Sequence, residues 1–108
     1  MEILIYYAPT LLFMLSFGLL YVFRPKQING LIGYRTKKSM KNQENWNFSQ
    51  KYATKWAFIG FSFVLIAQII LDVLLFHGVY LKEYTPFFVI LNILIIVFVM
   101  YKTEKKMI

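Results

Sequence analysis

The chain has 108 residues, enough for one domain, of which 59% are hydrophobic and 16% charged, with a mean hydropathy of +0.58. Ordinary soluble chains are nearer half apolar with about a quarter charged, and a domain this small has too little interior to hide the excess, so the composition excludes a water-soluble globule and indicates an integral membrane protein. The absence of cysteine excludes disulfides and thiolate chemistry, and the net charge of +7 matches the Lys and Arg excess of a cytoplasmic membrane face rather than a nucleic-acid surface.

Residues 3–23 carry no charge. At about 1.5 Å per residue they reach roughly 31 Å, enough to cross a hydrocarbon core. A cleaved signal peptide fits poorly, because Met1 and Glu2 are not a basic leader and the apolar run is too long. Pro9 removes one helical hydrogen bond near the start of this span, which predicts a kink. Tyr6, Tyr7 and Tyr21 lie near its ends, as interfacial aromatics do.

Residues 24–55 form the connection to the second span. They hold Arg24, Lys26, Arg35, Lys37, Lys38, Lys41, Lys51 and Lys55 against one acid, Glu44. Asn29-Gly30 signals a turn. Asn42 reads as a helix N-cap with Glu44 in the first turn. From there Trp46, Ser49, Ala53, Trp56 and Gly60 recur at three- and four-residue spacing, one face of a helix. That helix starts at the interface and either bends or runs straight into the second span.

The second span is residues 56–76, with Gln68 and Asp72 inside it. A short loop at 77–85 carries Lys82 and Glu83, and the third span covers 84–101 with Pro86 in its first turn and Asn92 as its polar interior residue. A tail with three Lys and one Glu follows. The predicted fold is therefore all-α: a single membrane domain over 1–108, three transmembrane helices and a basic cytoplasmic loop containing a short interfacial helix. The connection and the tail are both basic, and an odd number of spans puts them on one side. The charge rule then gives a multi-pass protein with its N-terminus outside and its C-terminus cytoplasmic.

Ile32-Gly33-Tyr34-Arg35-Thr36, preceded by Asn29 and followed by Ser39, Asn42 and Trp46, resembles the motif of the SdpI family of small bacterial membrane proteins. In that family an N-x-x-I-G-[IY]-R-T segment follows the first span, with a Trp about eleven residues past the Arg. Lys37 and Asn47-Phe48-Ser49 stand where larger members often have a Pro and a Thr-His pair. The resemblance implies a bacterial plasma-membrane protein of immunity type, protecting the cell against a membrane-active peptide toxin. It equally implies a signalling anchor that holds a cytoplasmic repressor through the basic loop. A small transporter is a third reading, disfavoured because the first span has no acid.

The candidate ligand- or partner-binding residues are Asn29, Gly33, Tyr34, Arg35, Thr36 and Trp46. Arg35 could grip a lipid phosphate or a carboxylate with its planar fork, or simply mark topology as a snorkelling charge. Trp46 and Trp56 are either walls of a pocket for an apolar peptide or members of the aromatic belt. Gln68, Asp72 and Asn92 form a second candidate site inside the membrane, where polar groups join spans or serve a function. Asp72 has Asn92 or Tyr80 as expected hydrogen-bond partners. His77 has no second ligand at metal spacing, and Gly30-x-x-Gly33 alone is too weak a signal for nucleic acid, so neither a metal, a cofactor nor a nucleic-acid partner is expected. No catalytic residues are expected either, for want of a Ser-His-Asp set, paired carboxylates or a phosphate loop. The expected partners are anionic headgroups at the basic loop and, if the spans pair, a second copy meeting at Gly18, Gly60 and Ser62.

Overall fold

The computed structural model describes residues 2–76 and 81–107. His77 and Tyr80 lie outside the described residues. Three α-helices run along a body 49 Å long and only 23 × 17 Å across. That length matches a bilayer of about 40–45 Å including its headgroups. All three helices are long and apolar enough to span a membrane.

Helix α1 is Glu2–Val22, and it continues through Pro9. Helix α2 is Gln43–Ile70, followed without a break by a π-helical stretch, Leu71–Phe76. Asn42 is the N-cap of α2: its backbone is extended and its side-chain oxygen accepts the Asn45 N–H at 2.7 Å. Such a cap satisfies one of the donors that a helix start leaves unpaired. No Gly or Pro interrupts residues 43–55, so the helix runs straight into the span and no separate interfacial helix forms. Helix α3 is Leu81–Lys106. It starts earlier than the sequence pattern indicates, with Pro86 in its second turn, and it absorbs most of the residues read as a tail.

The helices wear their apolar residues outward. Leu4, Leu12, Leu15, Phe63, Leu74 and Ile90 are all more than half exposed, while Thr10, Gln50, Gln68, Asn92 and Thr103 are buried. In water this would be a gross violation of polarity; in lipid the outward faces need no cover. The interior is two small apolar clusters. One joins Tyr6, Val64 and Phe88. The other joins Ala53, Ala57, Phe61 and Val99, with Phe13 stacked on Phe61 at 5.2 Å and Phe17 against its edge at 5.4 Å.

Close approach between helices depends on two glycines. A methyl group at Gly60 would stand 2.7 Å from Ile95 Cγ2 on α3, and one at Gly18 would stand 3.2 Å from the Phe58 ring on α2. Both glycines therefore serve contacts within the chain, and the Ser62 hydroxyl donates to its own helix at Phe58 O. Gly18 and Gly60 thus have packing tasks within one chain.

Candidate membrane-interface site

The connection between α1 and α2 folds back over the ends of α2 and α3 as a fixed corner. Its first device is Asn29, whose side-chain oxygen accepts the N–H groups of Leu31 at 2.9 Å and Ile32 at 2.8 Å. This is the local side-chain bonding by which Asn turns a chain. The second is Gly33, at φ +106°, a conformation that L side chains rarely adopt. The space is closed as well: a Cβ there would collide with Gln50 Oε1 and stand 2.9 Å from Pro25 Cγ.

Gln50 projects from the buried face of α2 and pairs with the corner as a strand neighbour would. The Tyr34 N–H donates to Gln50 Oε1 at 2.7 Å, and Gln50 Nε2 donates to the Tyr34 carbonyl at 2.7 Å. The Tyr34 phenol then reaches α3 and donates to Glu104 Oε1 at 2.9 Å. Burial first, and then donation to the Glu104 carboxylate, push this phenol well above its ordinary value of 10. Lys38 Nζ donates to the Glu104 carbonyl at 3.0 Å, tying the next turn to the same point.

Thr36 and Ser39 close a small reciprocal turn. The Thr36 N–H donates to Ser39 Oγ at 2.8 Å and the Ser39 N–H to Thr36 Oγ1 at 3.1 Å. Asn45 Nδ2 donates to the Lys38 carbonyl at 3.0 Å. Trp46 has no exposed surface, and its indole N–H donates to the Pro25 carbonyl at 2.8 Å. It is a strut under the connection and not a pocket wall facing a ligand; Trp56, at 44% exposure, is on the outside.

Arg35 is exposed and its guanidinium donates to the Gly30 carbonyl across the turn. Beside it Leu31, 87% exposed, and Ile32 also point outward. The corner caps a cleft of about 250 Å³ walled by Phe17 of α1, Ala57 of α2, Ile96 and Met100 of α3, and Tyr34 and Thr36 of the corner itself. The segment therefore folds between the helix ends instead of lying flat on lipid.

The polar residues of the spans meet at the opposite end. Thr10 donates to Gln68 Oε1, Asn92 Nδ2 donates to Thr10 Oγ1 at 2.9 Å, and Gln68 Nε2 donates to the Tyr6 carbonyl at 2.8 Å. The Tyr6 hydroxyl returns a bond to the Gln68 carbonyl at 2.9 Å. One chain of hydrogen bonds thus links all three helices. Asp72, in the π-helical stretch, stands apart from Asn92: Tyr7 donates to its Oδ2 at 2.9 Å. Tyr6 and Tyr7 are interhelical donors here, where their place in the sequence suggests interfacial anchors. Among the described residues no group of three His or acidic side chains gathers that could hold a metal.

The residues that hold the corner were missed by sequence reasoning in two places. Gln50 lies within the buried stripe that runs from Trp46 to Ala53, and a polar residue in such a stripe is a signal. Glu104 is an acid alone among basic residues at the end of the chain.

Comparison with known proteins fits this arrangement. The model of the SdpI/YfhL protein family matches residues 26–102, which takes in the corner, the second helix and most of the third. This chain belongs to the SdpI/YfhL family. It is also similar to an uncharacterized protein, YfhL, of Bacillus subtilis (strain 168), at 46% identity over 35 residues. That stretch is 32% of this chain and 32% of the relative, so the match spans about a third of the length of the curated protein. No solved structure matches. Asn29, Gly33, Tyr34, Arg35 and Thr36, which lie within the matched residues, form the corner, and Trp46 is the strut beneath it. The geometry gives each a structural task and leaves Arg35 facing outward.

Proposed function

We infer that this SdpI/YfhL-family chain is a non-enzymatic immunity-type membrane protein that protects a bacterial cell from a membrane-active peptide toxin. The family match across residues 26–102 carries this reading. The outward apolar helix faces support it, because a hydrophobic peptide dissolved in the bilayer meets the protein there without crossing water. The positive-inside rule supports a topology with the corner and the C-terminal end of α3 in the cytoplasm. The test is deletion of the gene, followed by challenge with culture supernatants from neighbouring strains. Deletion is expected to sensitise the cells to at least one supernatant, and plasmid-borne protein to restore resistance. Unchanged killing across the whole set counts against it.

A second reading, a signalling anchor for a cytoplasmic regulator, is favoured by one observation: Arg35, Lys37 and Lys41 are exposed on a corner that is otherwise internally bonded. A rigid basic surface binds an acidic partner without first paying to order itself. Affinity capture with wild type and Arg35→Ala should then recover different cytoplasmic proteins; identical recoveries remove this reading.

A further inference from the structure

On the lipid-facing side, α2 and α3 diverge around a groove of about 430 Å³. Its floor is set by Gly60 against Ile95, and its walls by Trp56, Phe63 and Phe98. The groove is open, almost wholly apolar, and has a polar mouth at one end only. There Lys102 and Lys106 of α3 and Tyr52 of α2 line it. Lys106 Nζ lies over the Tyr52 ring at 5.5 Å from its centroid, and Lys102 Nζ over the Phe98 ring at 5.6 Å. Both cations are thus drawn in over the mouth instead of trailing free.

Length and charge together identify an occupant. On α2 the groove runs from Tyr52 to Phe63 and on α3 from Ile95 to Lys106, an advance of eleven residues along the helix in each case. Eleven residues make about 16 Å of helix, close to half of a hydrocarbon core about 30 Å thick. The groove therefore has the reach of one leaflet. None of the described residues lining it is acidic. The acid on this turn of α3, Glu104, points to the other side of the helix, where Tyr34 holds it. Two lysines consequently face the mouth without a counter-charge from the groove.

The geometry points to a seat for one anionic phospholipid of the leaflet at the corner's end of the bundle. One acyl chain lies along Phe63, Trp56 and Phe98, and the headgroup phosphate rests between Lys102 and Lys106. This inference does not depend on the immunity reading. The site differs from diffuse attraction of the basic connection for anionic lipid, because it uses two residues of α3 and a groove of fixed length.

Trp56 lines the groove while Trp46 is wholly buried elsewhere, so tryptophan emission can read occupancy. The protein is reconstituted in phosphatidylcholine vesicles containing either phosphatidylglycerol or phosphatidylcholine with brominated acyl chains, which quench indole on contact. Brominated phosphatidylglycerol is expected to reach half-quenching at a mole fraction lower by about fivefold per engaged lysine, the ratio that corresponds to about 1 kcal/mol each. Trp56→Phe should remove the quenchable emission. Lys102→Gln and Lys106→Gln should each shift the half-point back by about fivefold, while Lys105→Gln and Lys41→Gln, outside the groove, leave it in place. Equal half-points for the two lipids overturn the proposal. So does a preference that Lys105→Gln or Lys41→Gln reduces as much, which would mean diffuse charge. Quenching by neither lipid, or quenching that weakens as protein density rises and so shows a second copy in the groove, overturns it as well.

Discussion

The two ends of the bundle solve the same problem by different means. At the far end, Tyr6, Thr10, Gln68 and Asn92 bond mainly side chain to side chain or to carbonyls that already serve a helix. There Tyr6, Thr10, Gln68 and Asn92 all lie inside helices whose backbone bonds along its own length, so their polar side chains must find one another because hydrocarbon offers no alternative. At the corner the backbone is irregular and has its own needs. Gln50 meets them by offering its amide to both polar groups of Tyr34. Two glutamines on one helix thus do different work: Gln68 joins helix to helix, and Gln50 takes the place of a missing strand. The far end is closed around its contacts, whereas the corner is braced from beneath and presents Arg35 outward.

If the corner is the more exacting of the two, its loss should cost most. Gly33→Val combines a forbidden φ with a clash against Gln50 and Pro25, and is expected to destabilise by about 2–4 kcal/mol in reversible unfolding from detergent. Gly30→Ala, where nothing stands within 4 Å of the new methyl, should change stability by no more than about 0.5 kcal/mol. Next comes Gln68→Leu, which removes the bonds to Thr10 and to the Tyr6 carbonyl. A cost of about 1–2 kcal/mol is expected in the same assay, in line with hydrogen bonds between spans. A Gln68 effect larger than that of Gly33 would reverse the comparison.

The link between Tyr34 and Glu104 sharpens it through pH. A phenol whose folded pKa lies above its unfolded value keeps its full contribution below about pH 10 and loses it as pH rises from there through the folded value. Ultraviolet titration should therefore show a late-ionising tyrosine that Tyr34→Phe removes. Glu104→Gln should bring that tyrosine part of the way back, since burial is the larger cause. At the far end the smallest effect belongs to Asn92→Leu. Asn92 loses one bond to Thr10, but its Oδ1 has no partner among the described residues. Removing a buried unpaired carbonyl offsets the lost bond, and the net change should stay below about 1 kcal/mol.

The three spans could be read directly, because a chain this apolar with its charges gathered in one connection leaves few choices. The N-cap at Asn42 was readable too, from a short polar residue followed by an acid in the first turn. Helix ends were less so. Nothing local tells whether the basic residues 102–106 continue a helix; Tyr34, 70 residues away, helps to hold that turn. The π-helical stretch at Leu71–Phe76 has no signature in its letters, five apolar residues and Asp72. The partners of Gln68 and Asn92 were hidden for a related reason: Thr10 is one polar residue in an apolar span, and only the rotation of α1 against α2 and α3 shows that it faces both.

One contact also constrains how the protein comes into being. Tyr34 cannot meet Glu104 until the ribosome has released the last turn of the third helix and that helix has entered the bilayer. Until then the hinge between the first two helices is held from α2 alone, by residues such as Asn45, Trp46 and Gln50. A nascent chain stalled before residue 104 would carry an unlatched hinge, because the latch needs a turn of the third helix.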